Sequence, residues 1–321
     1  MSFCVLGTGM YVPPKVITND DLSKMIDTND EWIMQRVGVH ERHVSTTETA
    51  ADMGAKAALA ALENSGINAE EIDLILAASV SGESISPSVS CMIQNLLGLS
   101  CMTMDINAAC SAFDFLLETA AGFFARGKVK KVLVIGAERL SRLLDWTDRS
   151  TCVIFGDGAG AVVLGEGDGY IDAVFDVKGG NNVIDIPQSV GMSPFYERGQ
   201  EKKPYIHMAG QETFKFAVNA ICRDSMRLLE RNGFTMEDVA YIVPHQANRR
   251  IIDFASMKLK VPKEKFYVNI DRYGNTSSAS IPIALDEMNR KGMLKKGDLL
   301  LLPAFGGGLA SAACLLRWQR S

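Results

Sequence analysis

The sequence predicts an α/β protein built from two similar halves, each a sheet covered by helices, and two observations carry that prediction. The first is an internal repeat. Residues 61–76, ALENSGINAEEIDLIL, resemble residues 228–243, LLERNGFTMEDVAYIV: a helix end, a glycine cap, an acidic helix start and an apolar strand. Gly66 and Gly233 stand 167 positions apart, as do Ile72 and Val239. Residues 123–138, FFARGKVKKVLVIGAE, match residues 287–304, EMNRKGMLKKGDLLLLPA, with Gly127 and Gly292, and Lys130 and Lys295, 165 apart. This near-constant offset divides the chain at about 1–166 and 167–321. The second observation is that VLVIGA and LLLL are unbroken apolar runs, the pattern of central strands with helices on both faces.

Along the chain, the start MSFCVLGTGMYVPP has no basic segment followed by a small-residue cleavage site, so no secretory signal is expected and the cytoplasm is the expected compartment. Gly7 and Gly9 lead into Pro13 and Pro14 rather than a helix, which argues against a nucleotide loop; Gly156, Gly158 and Gly160 run into an apolar strand and fail the same test. The stretch TNDEWIMQRVGVHERH places Trp32 and Arg36 four apart on one helical face, suited to stacking and charge contact, or to a half-buried Trp beside a solvated Arg. In INAACSAFDF, Cys110 precedes Phe113, Leu116, Leu117 and Ala120, which follow helical spacing. A thiol at a helix start faces unpaired N–H groups that lower its pKa and make it a nucleophile; the alternative is a small buried residue.

The repeat also links distant residues. Shifting Cys110 by 165 lands on Asn275 in GNTSSASIP, and shifting Ala78 by 167 lands on His245 in VPHQANRR. Packing about a pseudo-twofold axis would bring such strand ends together, where α/β sheets place ligands. His245 could then donate a hydrogen bond or act as a base, while Asn275 alone reads equally well as a turn residue. The final apolar stretch, Leu299 to Leu316, is broken by Pro303, Gly306, Gly307 and Gly308 and reads as two buried strands around a turn, not a membrane span.

The net charge of -5 argues against nucleic acid as a partner, because that affinity rests on cationic side chains. Seven scattered cysteines with no CxxC pair argue against a disulfide framework and against a zinc site.

Six stretches, in order, resemble the β-ketoacyl-acyl carrier protein synthase III family of the thiolase-like superfamily: TNDEWIMQRVG, DINAACSAF, DRSTCVIFGDGAGAVVL, VPHQANRRI, DRYGNTSSASIP and AFGGG. The resemblance spans nearly the whole chain. It implies a duplicated αβαβα layered fold, a homodimer without a permanently bound cofactor or metal, and a decarboxylative Claisen condensation initiating fatty acid biosynthesis. Acyl-CoA and malonyl-acyl carrier protein would be the substrates. Carried over by motif, Cys110, His245 and Asn275 would be catalytic, with the N–H groups of Cys110 and Gly307 as oxyanion hole. Trp32 and Arg149 would sandwich the CoA adenine, Arg36 would sit near its phosphates, and Gly210 and Asn248 would line the pantetheine tunnel. Arg250, Lys215 and Lys258 would form the patch for the acidic carrier protein.

The chain departs from the family where LASAA (Leu309 to Ala313) follows AFGGG, and where Ser86 replaces a phenylalanine that closes the partner subunit's acyl pocket. The second departure suggests primers longer than acetyl. Related condensing enzymes of secondary metabolism are an alternative, as is a hydroxymethylglutaryl-CoA synthase with Glu83 as base. A non-catalytic chain-length subunit would be expected to lose the three catalytic positions, yet all three are present.

Overall fold

The structure, a computed structural model, describes residues 2–187, 195 and 203–320. Its strands are β1 (Ser2–Tyr11), β2 (Leu74–Ala78), β3 (Met102–Asp105), β4 (Lys131–Arg139), β5 (Asp157–Gly167), β6 (Tyr170–Val177), β7 (Val239–Ile242), β8 (Leu299–Gly306) and β9 (Ala310–Arg317), with short two-stranded ribbons besides. The main helices are α1 (Asp30–Arg36), α2 (Ala50–Ser65), α3 (Val89–Leu96), α4 (Ala112–Ala125), α5 (Gly210–Arg231), α6 (Arg249–Leu259) and α7 (Ser280–Arg290).

The first sheet runs β1-β5-β4-β2-β3 and the second β6-β9-β8-β7. The senses match as well: β5 is antiparallel to β1 and β4, and β9 to β6 and β8, while β2 is parallel to β4 and β7 to β8. In place of a fifth strand, the second sheet has a single parallel bridge between Ile242 and Phe266. Helices α4 and α7 fill the space between the sheets, with α2 and α3 outside the first and α5 and α6 outside the second. This is the duplicated five-layer thiolase-like arrangement. A fourth apolar cluster, including Leu22, Ile33, Val37, Leu140, Val153 and Phe155, forms a cap beside the layers.

Local chemistry explains the element ends. Thr49 and Asp52 form a capping box at the start of α2, and Gly66 closes it at φ +70°, a conformation that costs glycine little. Close packing also explains the glycine pairs that imitate nucleotide loops. A Cβ on Gly9 would lie 2.3 Å from a backbone oxygen of α2, and one on Gly160 2.6 Å from a backbone nitrogen of α7. Phe113, Leu116, Leu117 and Ala120 are all buried on α4, as their spacing predicts. The stretch 299–316 forms two buried antiparallel strands in register from Leu299 with Arg317 to Gly306 with Ala310. Among the described residues no helix is long and apolar enough to cross a membrane.

One core residue breaks the pattern. Asp114 on α4 is fully buried and neither carboxylate oxygen has a hydrogen-bond partner. Burial therefore pushes its pKa well above the ordinary 3.8. The fold keeps a proton that the unfolded chain releases, so stability present below pH 3.8 is lost as pH rises through the folded value. Asp114→Val is expected to raise stability at pH 7 by about 1–3 kcal/mol and to flatten its decline toward higher pH, as read by denaturant unfolding at several pH values.

Candidate active site

Cys110 occupies a short 3₁₀ turn, Ala109–Ser111, directly before α4, and Ala109 enters it at φ +49°. The turn Ser277–Ala279 before α7 repeats this shape, with Ser277 also at φ +49°. The structural counterpart of Cys110 is thus Ser278, 168 positions on, rather than Asn275. A single offset fails here because loop lengths differ between the halves. The two turns exchange seats: a Cβ on Gly306 of β8 would lie 2.7 Å from the Cys110 nitrogen, and one on Gly136 of β4 would lie 2.3 Å from the Ser278 carbonyl oxygen.

A cavity of about 570 Å³ opens on Cys110, and His245, Asn275 and Gly307 line it as well. His245 follows β7, where its N–H bonds to the Pro303 carbonyl at 2.9 Å. Its Nδ1 lies 2.7 Å from Ser280 Oγ, and that oxygen accepts from the Gln246 N–H at 3.3 Å. That contact engages Nδ1, so Nε2 is the ring nitrogen left for the cavity that His245 lines. Burial lowers the imidazole pKa to about 3, so the ring is neutral. Asn275 is held by backbone bonds to Ile154 and Gly156, and its Oδ1 accepts from the Ser277 N–H at 2.8 Å. Its NH₂ group remains to serve the cavity.

The thiol departs from the sequence expectation. Burial is the largest influence and pushes the Cys110 pKa up to about 12; the Glu138 carboxylate adds to the rise and the Ser277 hydroxyl opposes it. Before substrate arrives, desolvation outweighs the favourable helix start.

Toward the mouth, the cavity is lined by Trp32, Arg36, Arg149, Gly210, Asn248 and Arg250. Trp32 and Arg36 share α1, whose first turn is capped by Asn29 accepting from the Trp32 N–H. Asn248 caps α6 and donates to the Arg36 carbonyl at 3.1 Å, tying cap to second sheet. Arg149 lies over the Trp32 ring at 5.1 Å from its centroid, held by the Asp27 carbonyl at 2.7 Å. A ring stacked between them needs two gaps of about 3.5 Å, so Arg149 must move aside to form a sandwich.

Several expected residues stand elsewhere. Lys215 and Lys258 are exposed on α5 and α6, outside this cavity. Ser86 is exposed in the loop before α3 and does not line this chain's own cavity. Glu83 faces Arg139 and Arg142 at 3.8 and 3.9 Å and is not at the cavity, which removes the basis for a glutamate-based synthase.

Comparison with known proteins fits this arrangement. Residues 104–182 match the family described as 3-oxoacyl-[acyl-carrier-protein (ACP)] synthase III, and residues 229–318 match its C-terminal domain. A β-ketoacyl-[acyl-carrier-protein] synthase III from Clostridium acetobutylicum is 47% identical over 320 residues, covering 98% of each chain. The chain belongs to the β-ketoacyl-acyl carrier protein synthase III family. The crystal structure of the synthase III from Aquifex aeolicus VF5 superimposes with a TM-score of 0.92 at 43% identity, covering 98% of this chain and 100% of that one. That from Pseudomonas aeruginosa PAO1 also gives 0.92, at 33% identity, over 100% and 99% of the two chains. As a synthase III the chain is an acyltransferase of the condensing type.

Sequence reading passed over four residues of this synthase: Glu138, Ser277, Ser278 and Ser280. The available signals were a carboxylate closing the apolar strand VLVIGAE and three hydroxyls in NTSSAS.

Proposed function

We propose that this synthase joins an acyl-CoA primer to malonyl-acyl carrier protein in two steps at Cys110. The observation that carries the reading is the convergence of a partly buried thiol, a neutral imidazole and an oriented amide on one cavity. In the first step Cys110 Sγ bonds to the acyl carbonyl carbon, the carbon–sulfur bond to CoA breaks, and the thiol proton ends on the CoA sulfur. Trp32, Arg36 and Arg149 receive the nucleotide end of CoA, while Gly210 and Asn248 flank the pantetheine path. In the second step malonyl thioester loses CO₂, and the electron pair left on its α-carbon spreads onto the thioester oxygen. His245 Nε2–H and the Asn275 amide donate to that oxygen; a neutral imidazole suits this task because it carries a proton without needing an acid. The carbanion then attacks the acyl-Cys110 carbonyl, whose oxygen faces the N–H groups of Cys110 and Gly307. Cys110 leaves as thiolate and takes a proton from solvent.

The same reading divides the chain at residue 166 and places it in the cytoplasm. It makes the chain a homodimer, and supporting this, Ile85, Met92, Leu96 and Met102 are exposed around the edge strand β3. Ser86 lies in that same region and would reach the partner's acyl pocket, where its small side chain leaves room for longer primers. The test is intact mass after incubation with acyl-CoAs from acetyl to decanoyl, followed by condensation with malonyl-carrier protein. Medium-chain adducts on Cys110 at least as abundant as acetyl are expected. A clear acetyl preference removes the Ser86 role, and no adduct at all removes the reading.

Lys215, Arg250 and Lys258 serve the carrier protein, with Phe254 and Met257 exposed among them on α6. Lys258→Glu is expected to raise KM for the carrier-linked substrate about fivefold at low salt, an effect that shrinks as added salt screens the charges.

A further inference from the structure

Glu138, next to last in β4, is fully buried, and among the described residues no lysine or arginine pairs with it. Its carboxylate instead accepts from Ser81 Oγ at 2.5 Å, Ser278 Oγ at 2.7 Å, the Val80 N–H at 3.1 Å and Ser79 Oγ at 3.4 Å. Those donors belong to segments that border the reaction. Val80 lines the cavity, and Ser278 is the second-half counterpart of Cys110. Next to it, Ser277 fixes the Asn275 amide through its N–H, while its buried hydroxyl neighbours both Cys110 and Glu138.

We infer that Glu138 is a positioning residue for this reaction: it locks the Ser277–Ser278 turn, and through it the Asn275 amide. The inference rests on the two-step reading above.

The full-length protein tests this through two readouts, the acyl adduct formed on Cys110 from acyl-CoA and condensation of that adduct with malonyl-carrier protein. Glu138→Gln and Ser278→Ala each weaken the lock on the turn, and each is expected to leave the adduct in place while condensation kcat drops about tenfold at unchanged KM. Ser278→Ala decides the role even if Glu138→Gln does not fold. Wild-type condensation in Ser278→Ala overturns the positioning role, and so does an equal loss of adduct and condensation, which a merely structural role would give. Failure of the two-step reading would appear separately, as absence of condensation by the unaltered protein.

Discussion

Cys110→Ala folds normally and forms no acyl adduct, and its turnover falls by about four orders of magnitude or more. Folding is preserved because the side chain borders a cavity instead of filling the core, and alanine accepts the same turn. Turnover collapses because no other thiol can substitute: Cys152, Cys222 and Cys314 are buried, and Cys4, Cys91 and Cys101 do not line the cavity. Intact mass after exposure to acyl-CoA measures the first consequence, and release of CoA measures the second. An adduct of undiminished yield on Cys110→Ala would move the reacting centre elsewhere in the molecule.

His245→Ala and Asn275→Ala each leave acylation of Cys110 in place and slow condensation by about 10²- to 10³-fold. The split follows from timing, since negative charge reaches the thioester oxygen only as the malonyl thioester loses CO₂, the step that both donors serve. The double variant should lose less than the product of the two, because one missing donor already spoils the pair. Release of CO₂ from malonyl-carrier protein, followed beside CoA release, checks the separation; equal losses in both half-reactions would defeat it. His245 also couples the site to stability. Its folded value of about 3 lies below the ordinary 6.5, so the unfolded chain binds a proton that the fold refuses between those values. Stability is full above pH 6.5 and drains as pH falls through that window, at up to about 1.4 kcal/mol per pH unit, a slope that His245→Ala removes.

Much of this was legible in the sequence because the repeat and the strand ends are written in local patterns. Glycine caps at Gly66 and Gly233, the apolar runs of β4 and β8, and the helical spacing after Cys110 each depend on neighbours a few residues away. Convergence of Cys110 with His245 followed from the approximate repeat, although the nearer partner of Cys110 by fold is Ser278. What stayed hidden depends on burial. Nothing local distinguishes a thiol that a helix start activates from one whose pKa desolvation raises. Nor does the spacing of Trp32 and Arg36 reveal that Arg149, more than a hundred residues away, lies against that Trp. Such facts are set by the third dimension, and Glu138 itself reads only as the last letter of a strand.

The exchanged seats of the two turns mean that each half is the jaw that closes on the other. The reacting centre therefore belongs to neither portion: Cys110 comes from one, and the strand bearing Gly306 and the residues His245 and Asn275 come from the other. A symmetric arrangement of this kind offers two equivalent seats. In this chain one carries sulfur and opens to ligands, while its twin carries a hydroxyl, is sealed, and anchors a carboxylate. Duplication thus allowed a division of labour, one copy of the turn free to react and the other free to become scaffold.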